Sequence, residues 1–354
     1  MPEEVKVIID GKKCVANRGQ TVLEVAQDNG IWIPTLCYDR RLAPYGACRI
    51  CLVEVEGARS LMPACTTEVT PGMKVRTENK RIKSIRRTII ELLLSDHPTD
   101  CMTCESTGAC TLQDLAYHYG VKQSHYGGET HSYNLLDENP VIERDLDKCV
   151  LCGRCVRICE EIVGAGVYGF VDRGFDAVVS TPYDHQLEKS PCLFCGQCIS
   201  TCPVGALSSK LSKGAGRYWE LESTETICPY CGVGCTLTLW TKDNQVVNIT
   251  APLDRGVNGG NLCVKGRFGY QYVASRDRLK HPMVRGKDGR LHKTTWEKAI
   301  SLAAEKIKEV RDKYGADAIG GLASARCTNE ENYLFQKFMR AVVGTNNVDH
   351  CARL

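Results

Sequence analysis

The chain has 354 residues, a formal net charge of +3, 43% hydrophobic and 25% charged residues, and 22 cysteines. That length is expected to hold two or more domains. No run of 18 apolar residues occurs, which excludes a membrane-spanning helix. The opening Met-Pro-Glu-Glu-Val-Lys carries neither an apolar signal segment nor a twin arginine, so a reducing cytoplasm is the expected location. Dense cysteine in that setting points to metal ligands rather than to disulfides.

Residues 1–78 form the first expected domain. Val5-Lys6-Val7-Ile8-Ile9 alternates as a strand, Asp10-Gly11 signals a hairpin, and a second strand follows. Thr21-x-x-Glu24 is a capping box that opens a short helix ending at Gly30. A loop then carries Cys37, Cys48, Cys51 and Cys65. The tight Cys48–Cys51 pair can hold one iron, and Cys37 with Cys65 a second. Gly46 and Ala47 keep the loop small enough for backbone N–H groups to reach the sulfides. Strand, hairpin, helix and cysteine loop together resemble the β-grasp [2Fe–2S] domain of plant-type ferredoxins. The plant-type first gap is four residues. The ten-residue gap here is similar to that in the large iron–sulfur subunit of respiratory complex I and in some hydrogenases. Zinc is the alternative occupant.

Residues 79–119 are the second module. Residues 79–95 read as an amphipathic helix with Ile82, Ile85, Ile89 and Leu92 as its apolar stripe, and Lys80, Lys83, Arg86 and Arg87 on the other face. His97, Cys101, Cys104 and Cys110 follow, an order that resembles the histidine-ligated [4Fe–4S] module; three cysteines and one histidine would equally suit zinc. Residues 120–145 are expected to be a linker. His118, His125 and His131 are expected to be linker or surface residues, not ligands.

Residues 146–210 contain an internal repeat. Cys149-x2-Cys152-x2-Cys155-x3-Cys159 is followed by Cys192-x2-Cys195-x2-Cys198-x3-Cys202. This is the bacterial 2[4Fe–4S] ferredoxin run, in which the fourth cysteine of each half ligates the other half's cluster. One cluster is then assigned to Cys149, Cys152, Cys155 and Cys202, and the other to Cys159, Cys192, Cys195 and Cys198. Pro203 follows the second run as the motif requires, while Glu160 replaces it in the first.

Over residues 220–277, Cys228, Cys231, Cys235 and Cys263 frame a β-rich segment, 236–250. The pattern resembles the [4Fe–4S] domain of the molybdopterin oxidoreductases. That resemblance makes Lys265 an electron relay between cluster and pterin. Residues 278–354 turn α/β. Thr294-x-x-Glu297 caps a helix through Tyr314, Ala318–Ala323 reads as a buried strand, Thr328-x-x-Glu331 caps a helix closed by Gly344, and a strand follows at Asn346–Asp349. Such a unit begins a parallel nucleotide-binding sheet.

The chain is thus expected to be an α+β multidomain protein: a β-grasp [2Fe–2S] domain, a histidine-ligated [4Fe–4S] module, a 2[4Fe–4S] ferredoxin, and the start of an α/β molybdopterin oxidoreductase domain. This order resembles the catalytic α subunit of NAD(P)- or ferredoxin-linked formate dehydrogenases. The resemblance implies one [2Fe–2S] and four [4Fe–4S] clusters, with Mo or W held by two pterin guanine dinucleotides in the full-length enzyme. It implies hetero-oligomeric partners: flavin-bearing iron–sulfur diaphorase subunits, a ferredoxin or a hydrogenase module. Residues 344–354 resemble the segment leading to the metal-bound cysteine or selenocysteine, and a selenocysteine codon is expected just past Leu354. The catalytic groups would then lie beyond this chain, and residues 1–354 alone would not oxidise formate. Cys351 sits four residues before that position and is not expected to be the ligand; Cys14 and Cys327 are expected to pack.

Bound clusters would bring the net charge to about −6, which speaks against nucleic acid as a partner. Three alternatives remain: the large iron–sulfur subunit of complex I, against which the repeat at 149–202 is expected to argue; an iron-only hydrogenase, whose final cysteine pattern residues 221–354 lack; and a non-redox zinc protein.

Overall fold

The computed structural model describes residues 4–133 and 138–352. It separates into two compact units, residues 1–221 and 222–354.

The first unit opens as local chemistry dictates. Asp10 and Gly11 both have positive φ and close the hairpin between β1 (Glu4–Ile9) and β2 (Lys12–Asn17). Thr21 and Glu24 cap each other at the start of α1 (Val22–Asp28), which buries Val22, Leu23, Val25 and Ala26. β3 (Leu52–Val55), β4 (Met62–Pro63) and β5 (Lys74–Arg76) complete a five-stranded sheet in the order β2-β1-β5-β3-β4. β1 and β5 run parallel; the other neighbours run antiparallel. Helix and sheet enclose a core of Val5, Val7, Ile9, Leu23 and Val53 that also takes in Cys51 and Cys65.

α2 (Lys80–Leu94) is capped by Asn79, whose side chain accepts from the Ile82 N–H. Its inward face corrects the expected stripe: Ile82, Arg86 and Ile90 are buried, and Leu92 is 51% exposed. α3 (Thr111–Tyr119) ends at Gly120 in the left-handed region and buries Leu112, Leu115 and Tyr119. A second core joins these helices to Leu36 and Ile50 of the first cysteine loop and to Val204 and Ala206, just past Cys202.

The cysteine repeat is framed by short elements: β6 (Ile142–Arg144), α4 (Arg154–Arg157), β7 (Gly169–Val171), β8 (Val178–Ser180), α5 (Gln197–Thr201) and β9 (Leu207–Ser209). β6 and β9 pair antiparallel, as do β7 and β8. Part of the stretch expected to be a linker is therefore a strand of this module.

In the second unit, β10 (Glu222–Ile227), β11 (Thr236–Lys242) and β12 (Gln245–Thr250) form an antiparallel sheet beside α6 (Val264–Phe268). A hairpin of β13 (Met283–Arg285) and β14 (Leu291–Lys293) precedes α7 (Trp296–Tyr314). The cap of α7 is Thr295, not Thr294: its side chain accepts from the Lys298 N–H. β15 (Gly321–Ala323) is shorter than expected, because the N–H groups of Ala318 and Ile319 are used in a turn on Gly315 and Ala316. Gly321 on it is buried but Leu322 is 85% exposed, so burial is partial. α8 (Asn329–Phe338) has the expected Thr328/Glu331 box, and β16 (Val348–His350) pairs parallel with β15. Among the described residues no helix is long and apolar enough to cross a membrane.

Candidate metal centres

The first four cysteines converge on the loop beside α1. Cys37, Cys51 and Cys65 are each 1% exposed. The Cys51 and Cys65 sulfurs lie 3.4 Å apart, and the Cys48 N–H points at the Cys37 sulfur at 3.5 Å. Hydrogen bonds from the Cys48 and Cys65 thiols, helped by the backbone N–H groups of Cys48 and Ala47, hold the Cys37 thiol well below its usual range despite burial. The thiolate is the form that binds iron. Gly46 has φ +70°, and a Cβ there would press on Thr66 at 3.1 Å, so the loop admits little but glycine at this turn.

In the second set Cys104 and Cys110 are buried and Cys101 is exposed. The Cys110 sulfur caps α3 by accepting from the Gln113 N–H at 3.5 Å. The Nδ1 atom of His97 is buried without a hydrogen-bond partner, and burial lowers the pKa of this imidazole, favouring the neutral ring that a metal binds. Cys104 also meets the ferredoxin-like module closely: a Cβ on Gly205 would fall 2.7 Å from its sulfur.

The repeat gathers its eight cysteines in two places. Cys149, Cys152, Cys155 and Cys202 line one small cavity, and Cys159, Cys192, Cys195 and Cys198 line another. The last cysteine of each run therefore sits with the first three of the other. The two halves repeat in backbone as well as in sequence. Leu151 and Phe194 both have φ 50°, and Gly153 and Gly196 both have φ 70°, opening α4 and α5. Left-handed residues within Cys-x-x-Cys curl the chain around a centre and turn N–H groups onto sulfur, as the Phe194 N–H does on Cys192 at 3.4 Å. Burial raises the thiol pKa values to about 11 at Cys149 and Cys202 and about 12 at Cys152 and Cys198.

The fifth set lies in the second unit. Cys228 is buried, Cys235 half-buried, and Cys231 and Cys263 exposed. The Cys228 N–H donates to the Cys235 carbonyl at 2.8 Å. Burial, then the neighbouring Cys228, Cys231 and Cys263 thiols, raises the Cys235 pKa, so the four share one neighbourhood. Lys265 is exposed on the single turn of α6 that begins after Cys263.

Among the described residues no three His, Cys, Asp or Glu side chains converge as a single ion would require. The sulfurs of the repeat line two separate spaces, as a pair of polynuclear clusters needs. An orphaned buried imidazole nitrogen, thiolate-favouring N–H groups and two cysteine-lined cavities fit iron–sulfur clusters. His118 meets Trp32 at a tilt, His125 pairs with Glu91, and His131 pairs with Asp96, next to His97, and stacks on Phe175. Cys14 is buried in the first core; Cys327 is half-buried, and Cys351 is exposed beside Ser324.

Several residues around the sites carry no sequence signal. Buried Arg86 donates to the carbonyls of Ile50 and Leu52, on either side of Cys51, and to the Tyr119 hydroxyl. Arg157 donates to the carbonyls of Cys37 and Ala43, both at 2.7 Å. Asp39 is held by Arg41, Arg154 and Thr201. Tyr168 lines both cavities of the repeat.

Comparison with known families follows the same order. Residues 2–80 match a 2Fe-2S iron-sulfur cluster binding domain, 86–125 the NADH-ubiquinone oxidoreductase-G iron-sulfur binding region, and 139–208 the ferredoxin-like domain of NADH-quinone oxidoreductase subunit 3. Residues 221–275 match the molybdopterin oxidoreductase Fe4S4 domain and 278–354 the molybdopterin oxidoreductase domain. The chain is a series of iron–sulfur domains leading into the start of a molybdopterin oxidoreductase domain. The chain is 41% identical over 350 residues to the NADPH-Fe(3+) oxidoreductase subunit alpha of Geobacter sulfurreducens, covering 99% of this chain and 40% of that protein. It is 42% identical over 351 residues to a G-type NADH-quinone oxidoreductase chain of Rhizobium meliloti, with the same coverage. It is 31% identical over 393 residues to a Staphylococcus aureus protein provisionally named a formate dehydrogenase, covering 39% of it. The chain therefore spans about 40% of the length of these relatives. It also resembles a chain in the crystal structure of NAD+-reducing [NiFe]-hydrogenase in the H2-reduced state, with 29% identity and a TM-score of 0.57 over 60% of this chain and 90% of that one.

Proposed function

We propose that this chain is the electron-carrying portion of the catalytic subunit of a formate dehydrogenase. Its assigned ligands are Cys37, Cys48, Cys51 and Cys65 for a [2Fe–2S] cluster, and His97, Cys101, Cys104 and Cys110 for the first [4Fe–4S] cluster. The other three [4Fe–4S] clusters take Cys149, Cys152, Cys155 and Cys202; Cys159, Cys192, Cys195 and Cys198; and Cys228, Cys231, Cys235 and Cys263. Bound Mo or W would supply the two-electron oxidation of formate to CO2 and a proton. Lys265 is the proposed relay from that site into the clusters, which carry one electron each towards a diaphorase serving NAD(P) or towards ferredoxin. The protein's part is to fix cluster positions, exclude water and tune potentials. The observation that carries the electron-transfer reading is the crossed sorting of eight cysteines into two cavities; the formate step rests on the resemblance and on the Staphylococcus aureus relative.

A second reading makes the chain part of an NADH- or NADPH-linked oxidoreductase without formate chemistry. The relatives at 41 and 42% identity carry such names. The repeat does not argue against it, since the ferredoxin-like model of NADH-quinone oxidoreductase subunit 3 spans it. The deciding experiment uses the full-length protein with its co-purifying subunits under anaerobic conditions. Bleaching of the brown cluster absorbance by formate supports the first reading; bleaching by NADH or NADPH but never by formate selects the second.

A further inference from the structure

Arg86 is 1% exposed, yet among the described residues no carboxylate pairs with it. Its Nε donates to the Ile50 carbonyl at 3.0 Å, one terminal nitrogen to the Leu52 carbonyl at 2.8 Å and the other to the Tyr119 hydroxyl at 2.9 Å. All three partners are neutral, and burial pushes the Tyr119 hydroxyl up, away from the phenolate. Glu54 and Glu78, on or beside the elements around it, pair with Arg76 and Lys83; Glu91 meets His125, and Asp114 is exposed. Hydrogen bonds to neutral oxygens satisfy the N–H groups but leave the buried charge itself uncompensated. The two carbonyls belong to the residues on either side of Cys51, and Cys48 packs against the same core as Ile50 and Tyr119. The cation therefore abuts the loop that carries two of the thiols assigned to the first cluster.

We infer that Arg86 is the buried counter-charge of the first cluster, a positioning and tuning residue that raises the [2Fe–2S] potential. This rests on the reading that Cys37, Cys48, Cys51 and Cys65 hold that cluster. The thiolates outweigh the positive iron–sulfur core, so the loaded site is anionic. A cation buried beside it attracts it with little screening by water or salt. Reduction adds one electron and no proton, so the attraction is stronger in the reduced form. The reduced cluster is stabilised more than the oxidised one, and the midpoint rises. The forked guanidinium also ties together two carbonyls that flank a ligand, so one side chain supplies both position and charge. The charge is the part that sets the potential, which separates Arg86 from a residue that merely holds the loop.

The test is a redox titration followed by electron paramagnetic resonance on the anaerobically prepared, iron-loaded chain and three variants. Arg86→Gln and Arg86→Met remove the charge, the first keeping an amide donor and the second only the bulk. Arg86→Lys keeps the charge and loses the fork. The expected result is a lower [2Fe–2S] midpoint in both neutral variants, a midpoint near the wild-type value in the lysine variant, and smaller movement or none in the [4Fe–4S] signals. A loop that is merely loosened would shift all three variants alike. Unmoved [2Fe–2S] midpoints in the neutral variants, or an equal shift of every cluster, would overturn the inference. So would a lysine midpoint well below wild type, a result that can be read even where the neutral variants fail to fold. Wild-type protein without a [2Fe–2S] signal would instead overturn the cluster assignment beneath it.

Discussion

The Asp39 carboxylate lies 3.2 Å from the Arg154 guanidinium, across 115 residues of sequence. Asp39 sits two residues after Cys37, and Arg154 immediately precedes Cys155, so the pair ties a ligand loop of one proposed cluster to a ligand helix of another. Thr201, just before Cys202, donates to the same carboxylate at 2.8 Å, and Arg41 grips it at 2.7 Å. The Asp39 side chain is 1% exposed. The joint is therefore a buried, multiply bonded charge cluster, whose disruption costs far more than that of a surface pair.

Asp39→Ala is expected to destabilise the first unit by about 3–5 kcal/mol, because two guanidinium groups lose their buried partner. Glu56→Ala, which breaks the exposed Lys74–Glu56 pair at 2.9 Å, should cost at most about 1 kcal/mol. Denaturant unfolding of the iron-loaded proteins measures both. Equal effects would mean that the joint contributes nothing special.

The same carboxylate gives a pH dependence with a definite sign. Burial alone would raise the Asp39 pKa, but the Arg41 hydrogen bonds outweigh it and hold the carboxyl below the ordinary range. A group with a depressed folded pKa stabilises the protein above its unfolded pKa of about 3.9 and loses that contribution as the pH falls towards the folded value. Wild-type stability should therefore drop faster than that of Asp39→Asn below about pH 4. Parallel stability curves for the two proteins would refute this.

Much of the local structure was legible in the sequence because its determinants are neighbours. The Asp10-Gly11 turn, the Thr21/Glu24 and Thr328/Glu331 boxes and each Cys-x-x-Cys depend on residues a few positions apart. Arg86 shows why other features were not. Helical periodicity assigns a charged residue to the outer face, yet its burial is decided by the Ile50 and Leu52 carbonyls, more than thirty residues away. Asp39 is alike in part: Arg41 is a sequence neighbour, but Arg154 and Thr201 reach it from 115 and 162 residues away, and no local pattern encodes them.

Arg86→Lys should loosen the first cysteine loop selectively. Lysine keeps the charge but cannot supply the forked donors that reach two carbonyls and the Tyr119 hydroxyl together. Stranding part of that set should cost about 2–3 kcal/mol. Visible circular dichroism during a chelator challenge should show the [2Fe–2S] signal lost before the [4Fe–4S] absorbance. Loss of all signals at one rate would count against a local role for Arg86.

Iron binding to the repeat should be proton-linked. Burial raises the Cys149, Cys152, Cys198 and Cys202 thiols to about 11–12, so they are neutral at pH 7 and must release protons to ligate. Reconstitution of the metal-free chain with iron and sulfide should go further at pH 8.5 than at pH 7. Chelation should unfold the cysteine loops, which bury too little apolar surface to hold their shape alone. A pH-independent iron yield, or unchanged far-ultraviolet circular dichroism after chelation, would contradict this.

The crossed ligand pattern allows a sharper test. Cys202 lies in the second run of the sequence but lines the cavity of the first. Cys202→Ser should therefore perturb the cluster assigned to Cys149, Cys152 and Cys155, while Cys159→Ser should perturb the one assigned to Cys192, Cys195 and Cys198. Each serine variant acting instead on the cluster of its own run would show that the halves bind iron independently, and the two cavities would then have been assigned to the wrong cysteines.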